Sequence, residues 1–178
     1  MKFLIVIDMQ NDFIDGTLGT KEAQAIVSLA CEKIRNFKGA MLLTADAHNE
    51  DYLNTQEGKF LPVPHCIRDT IGYGINDDIY AAICKKPHLK IHKHTFGTLS
   101  LPKWIKEIAY DSGEEIEAIE LIGVCTDICV INNALILKAA FPEVPIIVDA
   151  ACCAGVTPEL HEAALKVMKS CQIIVKED

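Results

Sequence analysis

Apolar residues fall into two recurring patterns along this chain. Six short runs, most of them rich in isoleucine, leucine and valine, have the continuous hydrophobicity of strands buried on both faces: Lys2–Ile7, Gly39–Thr44, Leu89–His92, Glu117–Ile122, Val144–Val148 and Gln172–Val175. Four longer segments are predicted as helices: Lys21–Phe37, Leu101–Tyr110, Asp127–Ala140 and Pro158–Ser170. Strands that alternate with helices predict a parallel sheet with helices on both faces.

Length and composition refine this prediction. The 178 residues fit a single domain, residues 1–178, that is long enough to bury a sizeable core. Half of the residues are hydrophobic and only 6% are aromatic, so the core should be aliphatic. We therefore predict an α/β fold of three layers, α/β/α, with a six-stranded parallel sheet of Rossmann-like type.

Charge, hydropathy and cysteine content narrow the function classes. The net charge of −8 and the lack of a basic run argue against a nucleic-acid partner. No apolar run approaches the roughly 20 residues that span a bilayer, and Phe3–Ile7 is too short for the core of a signal peptide. Eight cysteines without an export signal are expected to stay reduced. The expected location is the cytoplasm, with no membrane partner.

The segment Gly123–Val130 contains the strongest candidate nucleophile. It follows the apolar run Ile119–Ile122 and opens a predicted helix, so Cys129 would lie in a strand-to-helix turn. The positive end of a helix lowers the pKa of a nearby thiol, and the same backbone amides can hold an oxyanion. The alternative is a buried cysteine that packs as a small hydrophobic residue, as most of the eight must.

Two further candidates are expected at the same edge of the sheet. Asp8 follows the first strand and Lys93 follows the third, and ligand sites of such folds lie outside the carboxyl ends of the strands. An acid, a cation and a thiol are the groups required for nucleophilic attack on an amide. Taken alone, Asp8 could cap a turn and Lys93 could be a solvated surface residue.

A metal site is indicated after the second strand. Asp46 and His48 are two residues apart, so in an extended segment both side chains point the same way. His65 follows after a proline-containing loop. Histidine and carboxylate ligands suit zinc, manganese or iron(II). The alternative is that Asp46 caps a turn while the histidines form local hydrogen bonds.

Several motifs together resemble those of the isochorismatase-like cysteine hydrolases, and within them the nicotinamidase (pyrazinamidase) branch. They occur in family order and span nearly the whole chain: Ile7–Phe13, Asp46–His48, Pro64–Cys66, Lys93, Gly123–Val130 and Val148–Gly155. The resemblance implies the isochorismatase-like hydrolase fold. It also implies hydrolysis of nicotinamide to nicotinate and ammonia, a step of NAD salvage. Isochorismatases proper lack the cysteine, so Cys129 argues against their activity.

The resemblance assigns roles to the residues around the thiol. It implies a catalytic triad of Asp8, Lys93 and Cys129, in which Asp8 moves the proton and Lys93 stabilises the thiolate. Cys129 would form the thioester. The family also has a cis peptide in the nucleophile turn, here between Val124 and Cys125, which would direct the N–H groups of Cys125 and Cys129 at the oxyanion.

The resemblance also implies one divalent metal ion, with zinc as the first choice and manganese or iron as alternatives. The matching ligands are Asp46, His48 and His65, and Glu57 has the spacing of the fourth ligand in some members. The metal would bind the pyridine nitrogen of the substrate. Many nicotinamidases have a tryptophan shortly before the Pro-His histidine, where this chain has Leu61–Val63. Phe13 and Phe96 are the candidate walls of the pocket.

Two other readings stay open. A related amidohydrolase acting on a ureido acid or another small amide would grip a substrate carboxylate with a cation, for which Arg68 is the nearest candidate. A non-enzymatic domain that binds a small ligand would have an unreactive Cys129. A redox pair of Cys125 and Cys129 is excluded because three residues separate them, not two. Family members commonly form dimers or tetramers, so a homo-oligomer is expected.

Overall fold

Six parallel strands form one sheet in the computed structural model, which describes residues 1–177. The strand order is β3-β2-β1-β4-β5-β6, and every pairing is parallel. The strands are β1 (Lys2–Ile7), β2 (Ala40–Asp46), β3 (His88–Lys93), β4 (Ala118–Val124), β5 (Ile146–Ala154) and β6 (Ile174–Lys176). The predicted parallel sheet is confirmed.

Helices cover both faces of this sheet. One hydrophobic cluster packs residues of α5, α6 and α7 against one face, and the other packs residues of α1, α2 and α4 against the opposite face. The predicted three-layer α/β/α architecture is therefore confirmed. The helices of residues 1–177 are α1 (Asn11–Ile14), α2 (Lys21–Asn36), α3 (Gln56–Phe60), α4 (Asp77–Ile83), α5 (Ser100–Ser112), α6 (Ile131–Ala140) and α7 (Pro158–Ser170).

The order of the strands positions the site. From β1 the chain builds outward to β2 and β3, and then returns to place β4 on the other side of β1. Such a reversal opens a crevice at the carboxyl ends of the two central strands, which is where doubly wound folds bind ligands. Asp8 follows β1 at this crevice, and Cys129 lies just beyond β4.

The structure differs from the sequence prediction in three places. The helix expected from Asp127 begins at Ile131 and is preceded by a π-helical turn, Thr126–Val130. Strand β5 extends to Ala154 because a bulge opposite Leu121–Gly123 lets its second half pair again with β4. Four short elements between the predicted segments were not foreseen: α1, a 3₁₀ turn at Tyr52–Asn54, α3 and α4. None of the helices formed by residues 1–177 is both long and apolar enough to cross a membrane.

Candidate active site

The Asp8 carboxyl group lies beneath the crevice and is fully buried. Its backbone has a positive φ of 47°, and the turn is held by the N–H of Asp8, which donates to the Thr44 carbonyl. The Thr44 hydroxyl donates to Asp8 Oδ1 at 2.7 Å. Thr44 of strand β2 therefore fixes Oδ1, and Oδ2 is left to contact Lys93.

Lys93 connects three acidic groups of the crevice. It is the last residue of β3 and pairs in register with Asp46. Its Nζ lies 2.7 Å from Asp8 Oδ2, 3.5 Å from Cys129 Sγ and 3.5 Å from Asp46 Oδ1. The contact with Oδ2 is a close ion pair between two buried side chains. The structure thus brings Asp8, Lys93 and Cys129 into one buried cluster.

Burial and charge set the protonation states of this cluster. Burial raises the pKa of Asp8 against the opposing effect of the Lys93 charge. Burial disfavours the charged form of Lys93, but the Asp8 carboxylate and the neighbouring acidic groups outweigh it and raise the pKa of Lys93. Burial, reinforced by the Asp8 charge, raises the pKa of the Cys129 thiol. The expectation of a lowered pKa for Cys129 was wrong, because desolvation and the Asp8 charge exceed the opposing effect of Lys93.

The turn that holds Cys129 is tightly packed on β1. Gly123 has a φ of 119°, and a Cβ there would lie 2.1 Å from the carbonyl oxygen of Ile7. Only glycine fits this approach. The peptide bond between Val124 and Cys125 is cis, as the resemblance implied. The Asn133 side chain donates to the Cys129 carbonyl at 2.8 Å, which ties the turn to α6.

Four side chains beside the crevice form a group that could hold a metal ion. Candidate ligand atoms of Asp46, His48, Glu57 and His65 all lie within 4.8 Å of one another. His48 Nε2 is 2.9 Å from Asp46 Oδ2, and His65 Nε2 is 3.7 Å from Glu57 Oε1. His65 Nδ1 donates to the Val63 carbonyl at 2.8 Å, which leaves Nε2 free to coordinate. Two imidazoles and two carboxylates fit a divalent ion such as zinc.

A cavity of about 860 Å³ joins the metal-binding group to the thiol. Phe13, whose ring centroid lies 5.5 Å from that of His65, forms part of its wall, and so does Phe96. Asp8 and Lys93 lie behind Cys129 and do not line it. Lysine and arginine are absent from the lining formed by residues 1–177. Arg68 instead donates to His94 Nε2 at 3.3 Å.

Comparison with known proteins identifies the relatives of this site. The family model described as Isochorismatase domain matches residues 2–177. The chain belongs to the isochorismatase family. The isochorismatase family protein PncA of Bacillus subtilis is 33% identical over 148 residues, which cover 75% of this chain and 76% of that protein.

Solved structures agree with this assignment to the isochorismatase family. The nicotinamidase/pyrazinamidase PncA of Bacillus subtilis is similar with a TM-score of 0.80 and 29% identity, covering 99% of both chains. The pyrazinamidase of Pyrococcus horikoshii, crystallised in complex with zinc, has a TM-score of 0.76 and 27% identity, also covering 99% of both chains. The family and these neighbours indicate that the chain is an amidohydrolase enzyme.

Three side chains near the site of this isochorismatase-family enzyme were missed from the sequence. Tyr52 packs edge-on against His48 and His65, with ring centroids 4.7 and 5.0 Å away. Phe60 is 84% exposed at the mouth of the cavity. Gln10 lies inside a motif already noted, and its side chain holds the backbone of Asp46. Of these three residues, only Gln10 could have been found from the sequence, because it lies within the motif Ile7–Phe13.

Proposed function

We propose that this isochorismatase-family enzyme is a nicotinamidase, which hydrolyses nicotinamide to nicotinate and ammonia through a thioester on Cys129. The observation that carries the proposal is the shared cavity, in which the thiol faces a four-residue metal-binding group. The acid and the cation lie directly behind the thiol. A neutral ring amide can span the distance from one group to the other.

The proposed acylation step starts from a neutral thiol beside the Asp8 carboxylate. The raised pKa of Asp8 makes it a better proton acceptor, so Asp8 takes the Cys129 proton as the sulfur attacks the amide carbon. Lys93, at 3.5 Å, stabilises the thiolate that forms. The N–H groups of Cys125 and Cys129 would donate to the oxyanion. Asp8 then gives its proton to the departing ammonia.

Deacylation reverses these roles. Asp8 is again a carboxylate after ammonia leaves, and it takes a proton from the water that attacks the thioester carbon. The C–S bond of the tetrahedral intermediate breaks, the proton on Asp8 returns to the sulfur of Cys129, and the nicotinic acid formed releases its carboxyl proton to solvent to give nicotinate. Because Oδ1 is held by the Thr44 hydroxyl, Oδ2, which contacts Lys93, is the atom proposed to move each proton.

Asp46, His48, Glu57 and His65 would hold the divalent ion, and we propose zinc. When bound, the ion supplies a Lewis-acidic position for the pyridine nitrogen and so orients the carboxamide. His65 is preset for this role by the hydrogen bond of its Nδ1 to Val63. Phe13 and Phe96 would contact the ring.

The charge of the cavity favours a neutral amide over a ureido acid. Asp46, Asp51 and Glu57 line it, whereas lysine and arginine do not among residues 1–177. A substrate carboxylate would therefore find no lysine or arginine of residues 1–177 in the lining, and the proposed metal ion would be the cation left to bind it, whereas a neutral ring amide needs no such cation. Arg68, the candidate for that role, does not itself line the cavity, and its guanidinium donates to His94, a residue that does line it.

Ammonia release from nicotinamide by the zinc-loaded enzyme tests the proposal. The wild type should release ammonia, Cys129→Ala should release none, and Cys84→Ala, which removes an exposed thiol, should match the wild type. Mass spectrometry of the acid-quenched reaction should find the nicotinoyl group on Cys129. A Cys129→Ala enzyme of near-normal rate would overturn the thioester. Release from a ureido acid but not from nicotinamide would move the substrate to the related amidohydrolases.

A further inference from the structure

The π-helical turn that holds Cys129 is fastened from behind by the start of α7. Thr126, the second residue after the cis peptide bond, is fully buried, and its Oγ1 lies 2.8 Å from Nδ1 of His161. Burial lowers the pKa of His161, so the neutral ring is available as a hydrogen-bond partner. Neither residue lines the cavity.

A second contact joins the same two segments. Asp127 Oδ1 accepts a hydrogen bond from the N–H of Val156 at 2.9 Å. The segments approach so closely that a Cβ at Gly155 would lie 2.9 Å from Asp127 Oδ1 and 2.8 Å from the backbone nitrogen of His161. The turn is thus fixed at two successive residues, Thr126 and Asp127, neither of which lines the cavity, although Val156, the partner of Asp127, does.

We infer that His161 is a positioning residue, which through Thr126 holds the nucleophile turn in the geometry required for oxyanion binding. Thr126 lies between Cys125 and Cys129, whose N–H groups are the proposed oxyanion donors. If Thr126 shifts, the directions of both N–H groups change together. The inference rests on the proposed thioester mechanism, because only that mechanism requires an oxyanion site at this turn.

The expected kinetic effect follows from when the oxyanion forms. Charge develops on the carbonyl oxygen only as the thiolate attacks, so misdirected donors destabilise the transition state more than bound substrate. Loss of the Thr126–His161 hydrogen bond should therefore lower kcat and leave KM nearly unchanged. Displacements well below 1 Å suffice for a roughly tenfold loss.

A double-mutant cycle tests the inference. Thr126→Val and His161→Leu should each lower kcat about tenfold with KM within twofold, and the double variant should be little slower than either single variant. His161→Asn should retain most of the rate, because its Oδ1 can take the place of Nδ1. Glu162→Gln, on the exposed side of the same helical turn, is the control. Rates are expressed per folded enzyme after a thermal melt.

Hydrogen exchange separates this inference from the proposed function. Both single variants should speed amide exchange in residues 125–130, and His161→Asn should not. If the wild type fails to release ammonia from nicotinamide, the proposed function fails, while exchange still tests the positioning role. Unchanged kcat and unchanged exchange in both variants would overturn the inference. Rate losses that multiply in the double variant would also overturn it.

Discussion

The two oxygens of Asp8 have different surroundings, and this difference suits the residue to its proposed role as proton carrier. Oδ1 accepts from Thr44, while Oδ2 faces the Lys93 ammonium and the thiol. Asp8→Asn keeps the size of the side chain but cannot accept a proton. We expect kcat/KM to fall by at least a hundredfold, within the range that general acid–base groups contribute. Asp111→Asn, on the exposed end of α5, should leave the rate unchanged.

The pH profile should report the buried state of Asp8. Its pKa is raised from the ordinary value of 3.8 by burial, so the carboxylate is lost at a higher pH than for a solvated aspartate. The proposed mechanism requires the ionised form, and kcat/KM should therefore decline on the acidic side at a pH above 3.8. An acidic limb at the ordinary aspartate value would contradict the assignment of Asp8 as the base.

Glu57 is the proposed metal ligand for which the sequence gave the weakest indication. Its Oε1 lies 3.6 Å from His48 Nε2, and its carboxyl group is partly exposed, unlike the buried Asp46. Glu57→Gln removes one negative charge from the group and should weaken zinc binding at least tenfold. Competition with a fluorescent chelator measures the affinity. Glu50→Gln, exposed on the same loop, is the control, and an unchanged affinity for Glu57→Gln would remove Glu57 from the ligand set.

At the scale of single residues, the motifs predicted which side chains lie close together, but they did not predict the pKa values of those side chains. The spacing of Asp46 and His48 placed two ligands on one side of the chain, and strand order placed Lys93 beside Asp8. The pKa of Cys129 depends on complete desolvation by segments distant in sequence. The position of Cys129 near a helix N-terminus therefore could not predict how far burial would raise its pKa.

At the scale of elements, Gln10 locks the ends of β1 and β2 together. Its Nε2 donates to the carbonyls of Asp46 and Tyr73, both at 2.9 Å, and its Oε1 accepts from the N–H of Asp46 at 2.7 Å. Gln10→Met keeps the length of the side chain but leaves these buried backbone groups without partners. We expect the free energy of unfolding to fall by roughly 2–4 kcal/mol.

Urea unfolding measures this loss, and zinc affinity should fall with it because Asp46 is a proposed ligand. Gln24→Met, an exposed substitution on α2, should change stability by less than about 0.5 kcal/mol. A Gln10→Met protein as stable as the wild type would show that the three hydrogen bonds contribute little net free energy.

Strands and helices with a clear pattern of apolar residues were predicted from the sequence, whereas the short helices and turns were not. Strand β1 and helix α2 appear within one or two residues of their expected bounds because burial dictates their apolar pattern. Helix α3 has five residues and is fixed by tertiary contacts, including the Tyr52 hydroxyl, which donates to the Leu61 carbonyl at 2.9 Å. The π-helical turn likewise reflects packing on β1 and α7.

At the scale of the whole molecule, one lysine joins three elements far from the active site. Lys33 of α2 contacts Glu120 of β4 at 2.6 Å and Asp149 of β5 at 2.7 Å. Lys33→Met would leave the largely buried Asp149 carboxylate without this ion pair, while Glu120 keeps its contact with Lys176 at 3.0 Å, and the free energy of unfolding should fall by roughly 2–4 kcal/mol. Lys166→Met, exposed on α7, is the control for urea unfolding.

The sign of the pH dependence follows from the same contacts. The wild-type pKa of Lys33 is raised, despite burial, by hydrogen bonds to Asp149 and Glu120, so its stabilisation is present at neutral pH and is lost only as pH rises past that pKa. The difference in unfolding free energy between the wild type and Lys33→Met should shrink as the pH is lowered, because the two carboxyl groups then take up protons. A loss of unfolding free energy that is the same at every pH would contradict the assigned role of the Lys33 ion pairs.

The fold as a whole could be predicted because alternating strands and helices permit few arrangements. The cavity could not, since its lining comes from segments between Phe13 and Val156 that only tertiary structure assembles. That no lysine or arginine lines the cavity among residues 1–177 could likewise be seen only once these segments were placed together. Arg68 is close in sequence to His65, yet its side chain does not line the cavity and instead donates to His94, which does.

The position of Lys93 has an evolutionary consequence. A single ammonium group contacts Asp8, Cys129 and Asp46, so the nucleophile and the metal-binding group share one counter-ion. A lineage that exchanged Asp46 for a neutral residue would alter the field at the sulfur, and one that replaced Cys129 would alter the field at the ligands. Substitutions in the two halves of the site should therefore be inherited together.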